Sequence, residues 1–126
     1  MNSTLNYTNN IINMNMSEVF MKLLLNIKMY HWQTPSYAEH IATDQLYLAL
    51  QPLIDTYIET MSKNQTRPQA DFNIQVHTLS KDRFIQFLTE AVFKLKHIAT
   101  NEPDLLNIRD EIIGQLNKTL YLFTFE

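Results

Sequence analysis

Cysteine is missing from the 126 residues altogether. That excludes a disulfide framework, a thiolate metal site and a thiol nucleophile, and it leaves His, Asp and Glu to hold any metal, a donor set suited to hard or borderline ions. Glycine occurs once. Sheets and barrels draw on glycine at primed turns and bulges, whereas helical bundles need little of it, so the chain reads as all-α with its four prolines as the main punctuation. No apolar run approaches the ~20 residues that span a bilayer. The first lysine is Lys22, so the amino terminus lacks the basic head of a signal peptide. The expectation is a cytoplasmic protein with no membrane partner. A basic run is absent too, and a formal charge of -3 gives no electrostatic drive toward nucleic acid.

What is there suits one domain with a single modest core, since 126 residues and 45% apolar content are ordinary for a globular unit. Residues 1–16, MNSTLNYTNNIINMNM, are rich in asparagine, uncharged and without a clean period. Asparagine prefers turns to helix interiors, so this stretch reads as a flexible arm and residues 17–126 as the folded domain. Ser17 is a candidate N-cap, and Phe20, Leu24, Ile27 and His31 follow at helical spacing, which puts His31 on the apolar face of a first helix.

Pro35 ends that helix, and Ser36-x-x-Glu39 reads as a capping box opening a second one from about Tyr37 to about Ser62. Pro52 inside it predicts a kink rather than a break, because the pattern resumes in Leu53, Ile54, Tyr57, Ile58 and Met61. Residues 63–79 are polar with short alternating pieces and read as a loop crossing the end or side of a bundle. Ser80 then caps a third helix whose inner face is Phe84, Phe87, Leu88, Ala91, Leu95 and Ile98. After a turn at Asn101-Glu-Pro-Asp a fourth helix turns Leu105, Ile108, Ile112, Leu116, Leu120 and Phe123 inward. Four amphipathic helices and one long connection assemble most naturally as a four-helix bundle.

His40, Asp44, Asp55 and Glu59 lie at offsets of 0, 4, 15 and 19 along the second helix. At ~100° per residue they fall at about 0, 40, 60 and 100°, so all four share one face. A solvated polar stripe is the bland explanation of such a face. Against it stand His31 on an apolar face across a tight turn from His40, and the i, i+4 carboxylate pair Asp55 and Glu59. His40 and Asp55 are roughly 22 Å apart along the helix at ~1.5 Å per residue, too far to share one ion. A two-fold partner with an antiparallel copy of the helix removes that obstacle and generates two equivalent sites. The spacing therefore predicts either no site or an intersubunit one. A di-iron site inside one bundle needs Glu-x-x-His motifs, and the chain has none.

The series Tyr30-His-Trp32, His40-x-x-x-Asp44 and Leu53-Ile-Asp55-x-x-x-Glu59, with Leu116-Asn-Lys-Thr-Leu-Tyr-Leu122 near the end, resembles Dps, the mini-ferritin branch of the ferritin-like superfamily. The resemblance implies a ferritin-like antiparallel bundle with a long crossover between the second and third helices. It also implies a two-fold homodimer, within a dodecameric cage, that oxidises Fe(II) with peroxide or oxygen and stores the ferric product. His31 and His40 of one copy would hold iron with Asp55 and Glu59 of the other, Asp44 would be an added ligand or a nearby acid, and Trp32 would sit beside the site to quench radicals. Zinc is the other metal that this donor set accepts. The turn between the histidines is shorter than the family's, and the tail lacks the lysines with which many members bind DNA. The competing expectation is a structural subunit with a degenerate site, for instance in a viral or phage particle, as the asparagine-rich, glycine-poor composition suggests. His77, His97 and the scattered methionines read as surface or packing residues.

Overall fold

The computed structural model describes residues 14–64 and 67–126, so most of the asparagine-rich arm lies outside the described residues. Among the described residues there are four helices, α1 (Met16–Gln33), α2 (Tyr37–Asn64), α3 (Lys81–Lys96) and α4 (Pro103–Leu122), and no strand. The expected four-helix arrangement is present.

The helix starts follow from local chemistry. Asn15, not Ser17, caps α1: its side-chain oxygen accepts the Glu18 N–H at 3.2 Å, so the helix opens at Met16 and takes in the last residue assigned to the arm. Asparagine is as good a cap as serine, and Asn15 also spares a carboxamide N–H for the Gln69 carbonyl. Ser36 caps α2 by accepting the Glu39 N–H at 3.2 Å. The reciprocal half of the capping box is not formed, because the Glu39 carboxylate is taken by Tyr30 and Thr34. Helix α2 runs unbroken through Pro52, whose ring is on the exposed side. Ser80 caps α3 as expected, and Pro103 occupies the first turn of α4.

Packing joins α1 to α2, α2 to α4 and α4 to α3. The core contains Phe20, Ile27, Leu46, Leu50, Leu88 and Leu116, all essentially inaccessible. Each such side chain contributes roughly 1.5–3 kcal/mol relative to exposure. Tyr30 ties three helices together at one end, its ring stacked on Phe84 with centroids 4.0 Å apart and 6.0 Å from Phe123.

Residues 67–80 form neither helix nor strand. The segment lies along α1: Asn15 donates to Gln69, Asn26 donates to the Gln75 carbonyl and accepts the His77 N–H, and Gln33 donates to Thr78. Both partners rise together in number, so the segment runs in the direction of α1. It delivers α3 to the end of the bundle where α2 begins, with Lys81 Nζ 3.6 Å from Glu39. Helices α2 and α3 therefore point one way, and α1 and α4 the other.

Candidate functional site

The α1–α2 hairpin turns within three residues, Thr34 to Ser36, and that tightness brings His31 and His40 face to face. Their rings stack with centroids 3.8 Å apart and planes 16° from parallel. His31 Nδ1 donates to the His40 carbonyl at 2.7 Å, and His40 Nδ1 donates to the His31 carbonyl at 2.8 Å. A carbonyl oxygen can only accept, so both Nδ1 atoms carry the hydrogen. In the neutral imidazoles both Nε2 lone pairs are then free, the state in which histidine binds metals.

The reciprocal clasp has a main-chain cause. The helical partner of the His31 carbonyl would be the N–H of residue 35, and Pro35 has none. His40 supplies the missing donor. On the other side, Thr43 is fully buried and its hydroxyl donates to the Glu39 carbonyl at 2.8 Å, so the same oxygen is left to accept from His31 Nδ1 at 3.2 Å. His31 is only 7% exposed. Its Nε2 stands 4.0 Å from Asp44 Oδ1, the one carboxylate that the hairpin brings to the pair.

Next to the clasp lies a second polar group. The Tyr30 hydroxyl donates to Glu39 Oε1 at 2.6 Å, and Thr34 Oγ1 donates to the same oxygen at 3.0 Å. Burial first, then the hydrogen bond to Glu39 and its charge, push the Tyr30 phenol well above its ordinary ionisation value. Glu39 is thus an anchor of the hairpin, a role that its place in the capping-box pattern concealed. Thr43 was equally hidden in the sequence; its one signal is the spacing of four from Glu39, the geometry of a hydroxyl bonded back to a helix carbonyl.

Asp55 and Glu59 are exposed on α2. Neither side chain has an ion pair or hydrogen bond among the described residues. Between them and His40 lies Leu48, 60% exposed at the middle of the helix. Trp32 is 64% exposed beside His31, and Lys28 Nζ stands 5.9 Å from its ring and 4.6 Å from that of Tyr47. Among the described residues no group of three or more His, Asp or Glu side chains gathers within the one chain. The chain thus pairs His31 with His40, sets Asp44 4.0 Å from His31 Nε2 alone, and leaves Asp55 and Glu59 apart. His77 and His97 are exposed, and His97 Nδ1 is satisfied by the Phe93 carbonyl at 2.7 Å.

The described residues thus form an all-helical unit of four helices in which the α1–α2 hairpin is closed by two histidines. The chain belongs to the family of unknown function DUF5856, whose profile matches residues 31–123, from the first of those histidines to the end of the bundle. No curated protein and no solved structure matches it. No helix among the described residues is long and apolar enough to cross a membrane.

Proposed function

We propose that the chain is a Dps-like, ferritin-like subunit that binds Fe(II) between two copies of itself and oxidises it. His31 and His40 of one copy and Asp55 and Glu59 of the other are the ligands. The observation that carries this reading is the imidazole clasp: both Nδ1–H groups are spent on main-chain carbonyls, which fixes the rings and leaves both Nε2 atoms for a metal.

Three further features support it. A two-fold axis at exposed Leu48 sets the His40 end of α2 against the Asp55 and Glu59 end of its copy, because 48 lies midway between those positions. The run of residues 67–80 beside α1, with α2 and α3 parallel, is compatible with the long connection of a ferritin-like bundle. The donor set of imidazoles and carboxylates suits iron or zinc.

Iron is the substrate in this reading. Carboxylate and imidazole donors stabilise Fe(III) more than Fe(II), so two ferrous ions deliver two electrons to one hydrogen peroxide, which takes up two protons and leaves as two waters. Asp44, close to His31 Nε2, adds a ligand or accepts a proton there. Trp32 supplies an electron to any stray radical. Storage of the ferric product follows if the dimers close into a dodecameric cage.

A second reading, a structural subunit with a degenerate site in a larger particle, draws on the same clasp. Both histidines already perform a structural task, and one chain gathers no third donor for them beyond Asp44 at 4.0 Å.

Addition of Fe(II), with and without peroxide, to wild type and to Asp55→Ala/Glu59→Ala separates the two. Ferric absorbance should rise at least about tenfold faster in wild type, the usual scale for losing metal ligands. Equal, slow oxidation in both proteins sinks the ferroxidase reading, and native mass spectrometry of the same samples reports dimer or cage.

A further inference from the structure

The close pairs α1–α2, α2–α4 and α4–α3 leave one side of the bundle, between α1 and α3. The stack of Tyr30 on Phe84 closes that side at one end. Further along α1 the segment that precedes α3 fills it, and a cavity of about 340 Å³ is left there, within the size range of small-molecule sites. Nothing in the iron reading uses it.

Its walls come from three parts of the chain. Asn26 of α1, 2% exposed, lines the cavity and spends its amide on the main chain: it donates to the carbonyls of Lys22 and Gln75, at 2.9 and 3.3 Å, and accepts the His77 N–H at 3.3 Å. A buried asparagine thus anchors the His77 main chain beside the cavity, and His77 lines it. Lys22 lines it from α1 and Arg83 from α3. The side chains of Lys22, His77 and Arg83 have neither ion pair nor hydrogen bond among the described residues. Leu79 and Phe87, both half-buried, supply the apolar wall.

One carboxylate lines the cavity, that of Glu90. Its Oε1 accepts from Gln86 Nε2 at 3.2 Å, and it forms no ion pair with Lys22 or Arg83. Two permanent cations and an imidazole therefore share the space with one acid. A cation would meet more like charge than opposite charge, whereas an anion would offset the excess. A carboxylate brings one charge and two oxygens to these three side chains. A phosphate monoester brings about -1.5 to -2 charges and three acceptor oxygens, a closer match to two cations and an imidazole.

We propose that this cavity binds a small phosphate monoester with an apolar body. The phosphate lies among Lys22, His77 and Arg83, and the body lies against Leu79 and Phe87.

Isothermal titration calorimetry of the full chain with phenyl phosphate, benzoate and inorganic phosphate tests this. Phenyl phosphate should bind at least about tenfold more tightly than benzoate, which carries less charge, and than inorganic phosphate, which lacks the ring. Lys22→Gln and Arg83→Gln should each weaken phenyl phosphate about tenfold, whereas Lys96→Gln, at an exposed lysine of α3 outside the cavity, should leave its affinity unchanged. All three positions are exposed, so far-UV circular dichroism and melting should match wild type in every variant. Absence of binding, benzoate or inorganic phosphate binding as tightly as phenyl phosphate, undiminished affinity in Lys22→Gln and Arg83→Gln, or an equal loss in Lys96→Gln would each overturn the proposal. The iron oxidation assay is untouched by any of these results.

Discussion

At the amino-terminal end of α2 the polar side chains beside the turn are engaged by the rest of their own chain. Glu39 takes Tyr30 and Thr34, His40 takes the His31 carbonyl, and Thr43 supports His31. Four turns further along, Asp55 and Glu59 have no such engagement and stand in the open. Helix α2 therefore carries at one end a histidine clasped to His31 of α1 and at the other a bare carboxylate pair. A polar group held by its own chain serves the fold whether or not a partner arrives; a group held by nothing costs the fold nothing to remove. Stability and activity should part company between the two ends.

The largest effect on folding is expected at the clasp. His31→Ala removes a buried ring and its bonds to the His40 carbonyl and Thr43, so urea unfolding should show a loss of about 2–4 kcal/mol. Tyr30→Phe comes next, at about 1–3 kcal/mol, because Glu39 loses its closest donor in a half-buried setting while the stack on Phe84 survives. A double variant with Glu39→Gln should recover part of that loss, since a neutral amide needs less support than a carboxylate.

Alkaline pH probes the same region without mutation. Tyr30 and Tyr57 are both held above the ordinary phenol value of 10.0 by burial, so the folded chain keeps protons that the unfolded chain releases. Their contribution is fully present below that value and is lost as pH rises above it, toward the folded ionisation of each phenol. The urea midpoint should fall more between pH 10 and 11 than between pH 8 and 9, and Tyr30→Phe should flatten that fall. The smallest effect is expected at the far end of α2, where Asp55→Asn and Glu59→Gln should each leave stability within about 0.5 kcal/mol of wild type.

Much of this fold was legible in residue spacing. The apolar positions Phe20, Ile27, Ile54, Tyr57, Phe84, Leu95, Ile112 and Leu116 gave four helices at the right places, because a 3.6-residue period is imposed by the core that each helix must cover. The start of α1 was misread by two residues, since Asn15 and Ser17 are equally good caps and only packing of Met16 on the core decides between them. Residues 63–79 were legible as a loop crossing the end or side of the bundle, but their course along α1 was not. It rests on side-chain bonds from Asn15, Asn26 and Gln33, residues more than forty positions away in sequence.

At the candidate site the pairing of His31 with His40 was readable from the short turn between them. The reason for their exact posture was not. It depends on a carbonyl that Pro35 leaves without a donor and on Thr43, a residue with no chemical signature of its own. Asp55 and Glu59 were readable as a pair but not as ligands, because a second chain would have to complete them.

The central claim is that two chains share each site, and complementation tests it directly. His40→Gln keeps an amide that can still donate to the His31 carbonyl, and Asp55→Ala/Glu59→Ala keeps the clasp. Each variant alone should oxidise Fe(II) no faster than background. Co-refolded in equal amounts, about half the dimers are mixed and each mixed dimer holds one intact site of two, so about a quarter of wild-type activity should return. A mixture no more active than its components would contradict the shared site.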